Sequence, residues 1–174
     1  MNINNICPAS FAHELLHIQL KVKKVFIGSE LTIYLKGMPR LNRMFPDALL
    51  EHIGNCLEHV RMFPDYLKLG YESKDFISDY SENKLTDAEL MELKLYYKSN
   101  RVYSITAISQ FIGKYFAAKA CPNETHDYAN RLEELRKVDR KLYTVLDNFM
   151  NAWLKLNIEI EEDYHSILDF RLLP

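Results

Sequence analysis

Cysteine, long apolar runs and charge of a single sign are all scarce in this chain, and each scarcity closes off a class of protein. Its 174 residues hold three cysteines, Cys7, Cys56 and Cys121, an odd number with no CxxC pair, so neither a disulfide framework nor a thiolate zinc site is expected. No uninterrupted apolar stretch approaches the ~18–20 residues of a membrane span, and the N-terminus lacks a charged-then-apolar leader pattern. The expectation is a cytoplasmic protein without a membrane partner. Basic residues number 22 and acidic residues 24, mixed along the chain for a net charge of −2; with no basic stripe, nucleic acid is not an expected partner. There is also no internal repeat and no low-complexity segment.

What is present is apolar content of 48%, ample for a core, and one motif that stands out: His13-Glu14-Leu15-Leu16-His17. On an α-helix the i and i+4 side chains share a face, so both imidazoles can reach one ion while Glu14 lies close enough to handle its bound water. Wound at 100° per residue, residues 9–22 place Phe11, Leu15, Ile18 and Val22 on one stripe, the expected core face, with His13 and His17 on the other.

A catalytic zinc site takes three protein ligands and leaves the fourth position to water. Residues 46–62 are where the third is expected, as a helix with Pro46 at its first position and Asp47 at the positive end of its dipole. Leu50, Ile53, Leu57 and Val60 form its expected core stripe; Glu51, His52, Asn55, Glu58 and His59 gather opposite. His59 is the first candidate for the third ligand, Glu58 the second and Glu51 the third. Asn55, Glu51 or Glu58 could instead hold an imidazole N–H and set the tautomer that binds metal. Pro64 and Asp65 then restart a short helix that ends at Gly70. This brings Tyr66 and Tyr71 close in sequence to the ligand helix as candidate oxyanion donors.

The runs Ala9-Ser10-Phe11-Ala12-His13-Glu14-Leu15-Leu16-His17-Ile18, Asn55-Cys56-Leu57-Glu58-His59 and Tyr66-Leu67-Lys68-Leu69-Gly70-Tyr71 together resemble small bacterial metallopeptidase-like proteins of the zincin type. The resemblance covers roughly residues 7–71. It implies the two motif histidines as zinc ligands, the motif glutamate as base and a third ligand from a later helix. Zincins place a substrate-holding sheet ahead of the motif helix. Here either residues 25–27 and 30–35 supply it by pairing as a β-hairpin through Gly28-Ser29, or the chain is a fragment or late-start version of a longer protein, or the fold is degenerate.

After residue 80 the pattern turns to long amphipathic helices. Thr86-Asp87-Ala88-Glu89 reads as a capping box opening a helix to about Ser99. A second helix is expected over residues 102–120, with Ile105, Ile108, Phe111, Ile112, Tyr115 and Phe116 apolar. Thr125 is expected to cap a third running from His126 to about Leu156 with one break, long enough to pack along another copy of the chain. Lys94-Leu95-Tyr96-Tyr97-Lys98 reads as an ordinary amphipathic face. His126 and His165 lack partners at ligand spacing and read as surface residues, and 159–163 as a solvated acidic run.

The expected fold is mainly α: the HExxH helix packed on further amphipathic helices, with one short hairpin near the N-terminus. Residues 1–80 form the metallopeptidase-like region and residues 81–174 a helical region packing on it. The expected function is a zinc-dependent hydrolase of a peptide or protein substrate, with Glu14 catalytic and His13, His17 and His59 on the metal. The alternative is a catalytically inactive helical interaction module, self-associating through its C-terminal helices and keeping a vestigial or structural metal site.

Overall fold

A computed structural model describes residues 7–158 of the protein. Eight helices and one two-stranded sheet succeed one another: α1 (Pro8–Val22), α2 (Ile27–Lys36), α3 (Pro39–Asn42), α4 (Asp47–Lys68), α5 (Asp87–Tyr96), β1 (Lys98–Ser99), β2 (Val102–Tyr103), α6 (Ile105–Lys119), α7 (Ala129–Val138) and α8 (Arg140–Lys155). The architecture is therefore mainly helical. The expected acidic run 159–163 and His165 lie outside the described residues. None of the described helices is long and apolar enough to cross a membrane.

The centre of the fold is α4. It packs against α1, α2, α6 and α8 and buries Leu49, Leu50, Ile53, Leu57, Met62 and Tyr66. Val60 is only partly buried. Pro46 is the N-cap rather than the first helical residue, and the helix runs through Pro64 without a restart. Loss of one amide donor there is outweighed by a face that stays apolar from Leu50 to Tyr66. Gly70, at φ +89°, ends it as expected of a glycine in the left-handed region.

Three expectations about the first half are overturned. Phe11, Leu15, Ile18 and Val22 are 53, 46, 53 and 76% exposed, whereas Ala9, Ala12, Leu16 and Leu20 are buried. Two alanines let α1 approach α4 closely, and the larger apolar stripe is left outward; helical periodicity identifies two apolar faces here and cannot rank them. His13 and His17 consequently flank the buried face. The expected hairpin at residues 25–35 is helix α2. Gly28 is not a turn residue but a contact point: a Cβ on Gly54 would stand 2.8 Å from the Gly28 Cα, so the two glycines let α2 cross α4 at backbone distance. The one hairpin among the described residues is β1–β2, pairing Lys98 with Tyr103 and Ser99 with Val102. Asn100 and Arg101, at φ 49° and 68°, form the left-handed two-residue turn that suits a twisted ribbon.

In the second half the Thr86 capping box is formed, with the Thr86 side chain accepting from the Glu89 amide and Glu89 accepting from the Thr86 amide at 2.8 Å. Its helix stops at Tyr96, before the hairpin. α6 starts at Ile105 behind the Ser104 side chain, which accepts from the Ala107 amide. The long third helix is divided. Thr125 does not cap it: its hydroxyl donates to Asn123 instead, and α7 begins only at Ala129. Asp139, in extended backbone (φ −147°, ψ 98°), ends α7 and caps α8 by accepting from the Leu142 amide. Trp153 in α8 is fully buried and donates from Nε1 to the Leu57 carbonyl of α4 at 2.9 Å. This contact ties the C-terminal helices to the central one.

Candidate metal centre

His13 and His17 lie on successive turns of α1, and His59 projects from α4 toward them. The ring centroids are 4.8 Å apart for His13 and His17, 4.9 Å for His13 and His59, and 5.4 Å for His17 and His59. One ligand nitrogen from each falls within 4.8 Å of the others. A tetrahedral ion with nitrogen ligands at ~2.1 Å needs N···N separations of about 3.4 Å, so small side-chain rotations close the set. Three histidines this near one another can hold a metal ion.

Hydrogen bonds orient two of the three imidazoles. Glu58 accepts from His17 Nδ1 at 2.5 Å, which leaves the His17 Nε2 lone pair facing inward, 3.0 Å from His13 Nε2. A carboxylate on the distal nitrogen is how proteins set the metal-binding tautomer of a histidine. His59 Nε2 and His13 Nδ1 are buried without any hydrogen-bond partner. A buried ring nitrogen left unpaired costs about 1–3 kcal/mol, and His59 and His13 each carry one. Burial, with a smaller contribution from neighbouring His13 and His17, drives the His59 pKa down to about 3. Burial likewise lowers that of His13. Both effects favour the neutral imidazole that a metal requires.

Aromatic rings close the cluster from one side. Phe76, which follows a single turn of 3₁₀ helix at Ser73–Asp75, stands 4.8 Å from the His13 ring, 5.1 Å from His59 and 4.9 Å from Tyr66. Tyr66 lies seven residues after His59 on the same helix, fully buried, stacked on Tyr71 at 5.2 Å, and its Oη has no partner. Burial first, and then the negative charge of Asp75, raise its pKa. It therefore stays a phenol, able to donate. Glu14 is exposed on α1 beside His13, whose protonation its charge favours.

Against expectation, Glu51 and Asn55 are exposed, and among the described residues neither makes a hydrogen bond or ion pair with the cluster. They lie on the solvent side of α4, because the face carrying His59 is the buried one. His52 is also elsewhere, facing the Gly113 carbonyl at 3.1 Å. Its neighbour Cys56 is a core thiol whose pKa burial pushes up to about 12. Phe76 escaped the sequence reading: it is a lone aromatic in an irregular segment with no periodic pattern to mark it. Comparison with protein family models, with curated proteins and with solved structures finds no match for this chain.

Proposed function

We propose that this chain is a zinc-dependent hydrolase of the peptidase type, with His13, His17 and His59 as ligands. The observation that carries the reading is the orphaned His59 Nε2 beside a His17 whose tautomer is already set by Glu58. Three neutral imidazoles without thiolates are a donor set typical of catalytic zinc, which keeps a position open. Zinc held there would supply Lewis acidity to a scissile carbonyl and to the attacking water. Glu14, next to His13 and open to solvent, takes the proton of the attacking water and delivers it to the leaving amine. Tyr66 offers its unpaired hydroxyl to the oxygen that gains charge in the transition state. Phe76 excludes water from one side of the histidines and so strengthens these electrostatic effects. Glu58 is a positioning residue.

Metal analysis of the purified chain tests the reading. About one zinc per chain, lost in both His17→Ala and His59→Ala, is expected. Glu14→Gln is expected to keep the metal and lose turnover of a peptide library by about 10²–10⁴-fold. A wild-type chain that takes up no zinc, or a Glu14→Gln variant as active as wild type, sinks it.

A second reading rests on a separate observation. The outward stripe Phe11, Leu15, Ile18 and Val22 on α1 has the spacing of a helix-pairing seam. A helical interaction module with a structural metal would use that face rather than the C-terminal helices. Light scattering across a concentration series distinguishes the two, since a strict monomer argues against self-association.

A further inference from the structure

Five cationic side chains from two separate stretches of sequence converge on one cavity of about 410 Å³: Lys94, Lys98, Lys137, Arg140 and Lys141. In the sequence the first two belong to a stretch that reads as an ordinary amphipathic face. The fold changes that reading. The β1–β2 hairpin turns the chain back beside α5, and the break at Asp139 bends α8 away from α7, so that both breaks in helical structure open on the same hollow.

The carboxylates nearby do not neutralise this cluster. Glu134 is shared, accepting from Lys94 at 2.6 Å and from Lys137 at 2.5 Å. Asp139, on the cavity wall, is turned onto protein donors: it accepts from the Tyr97 hydroxyl at 2.9 Å and from the Leu142 amide at 2.9 Å. Glu133 also acts on Lys137 but pairs with Arg136, so three acids stand near five cations, in a protein whose net charge is −2. Lys98 Nζ lies 4.4 Å over the ring of Tyr103, and no carboxylate pairs with Lys98, Arg140 or Lys141 among the described residues. The first turn of the 16-residue helix α8 starts at the rim and adds the positive end of its dipole. Like charges gathered in a concavity repel one another at a cost that an anionic ligand relieves.

We propose that this cavity binds a small anion carrying two or more phosphate groups. Its volume lies in the range of small-ligand pockets, ~300–1,000 Å³, and three cations without a carboxylate partner among the described residues call for more than one negative charge. The cations line one hollow of small-ligand size, which suits a compact polyphosphate better than a long nucleic-acid backbone. Buried Tyr97, held by Asp139, makes the floor rigid. The half-exposed ring of Tyr103 offers an apolar surface to an organic portion of the ligand. This site is independent of the histidine cluster.

Isothermal titration of the full chain with sodium pyrophosphate, with ATP and with an oligothymidylate tests the proposal. One pyrophosphate or ATP per chain is expected to bind, more weakly as salt rises. Lys98→Gln with Lys141→Gln is expected to weaken binding at least about tenfold, while Lys21→Gln with Lys155→Gln, and His59→Ala, leave it within about twofold. Equal affinity for the two anions assigns recognition to the phosphates alone, and tighter ATP binding adds the organic portion; both support the site. Lys98→Gln alone gives the same direction if the double variant does not fold. Absence of binding by both anions overturns the proposal. An equal loss in the Lys21 and Lys155 control also overturns it, as does binding of the oligothymidylate alone.

Discussion

Around Tyr115 in α6 the buried polar atoms are paired, and around Tyr66 in α4 they are not. Tyr115 donates to Asp147 at 2.9 Å, and Asp147 is met in turn by Lys119 at 2.8 Å and Asn151 at 3.2 Å. Tyr97 repeats the arrangement with Asp139. Tyr66 Oη, His59 Nε2 and His13 Nδ1 have no such partners, although they come from α1 and α4, which pack directly against each other. A folded chain tolerates unpaired buried polar atoms where something outside the polypeptide completes them. On the proposed function, the difference between the two regions separates polar groups that build the fold from polar groups that a bound metal would complete.

The largest expected effect breaks the comparison most directly. Zinc at about a thousandfold over its dissociation constant should raise unfolding free energy by about 4 kcal/mol. The rise in melting temperature should vanish in His59→Ala and persist in Tyr115→Phe. A melt unmoved by zinc would remove the distinction between the regions.

Acid should then act on the histidine region in the metal-free protein. The folded pKa of His59 is about 3 against an ordinary 6.5, so below pH ~6.5 the unfolded chain takes up a proton that the folded chain refuses. Stability is full above that pH and falls as pH drops toward 3, by about 1.4 kcal/mol per unit from this one group. His13, lowered in the same direction, steepens the fall. Urea unfolding at pH 7 and pH 5 measures it, and His59→Phe should flatten the slope.

Removing hydroxyls compares the regions residue for residue. Tyr115→Phe leaves Asp147 short of a donor and should cost about 1–2 kcal/mol. Thr86→Ala, which opens the capping box of α5, should cost about 1 kcal/mol. Tyr66→Phe deletes an atom that has no partner and should change stability by less than about 0.5 kcal/mol, while slowing turnover by about 10²-fold. Chemical denaturation and peptide-cleavage assays on the same preparations separate the two readouts. A Tyr66→Phe variant destabilised as much as Tyr115→Phe would assign that phenol to the fold.

Much of this was legible in the order of residues, because the relevant physics is local. His13 and His17 share a face of α1 by the geometry of one helical turn. The Thr86 box, the glycine end of α4 at Gly70 and the mainly helical class follow from capping chemistry and periodicity. His59 was reachable too, as an imidazole on a second amphipathic helix, though on the wrong side of it.

What only the tertiary structure decided is which of several local options long-range packing selects. Periodicity marked Phe11, Leu15, Ile18 and Val22 as apolar, but close approach to α4 favoured the alanine face and drew the histidines inward with it. Gly28 suits a turn by its own chemistry and became a helix contact only because Gly54 lies opposite. Glu58 over Glu51 and Asn55, Phe76 over the histidines, and five cations around one hollow are all pairings between segments distant in sequence. No local rule encodes them, since each depends on where another helix comes to rest.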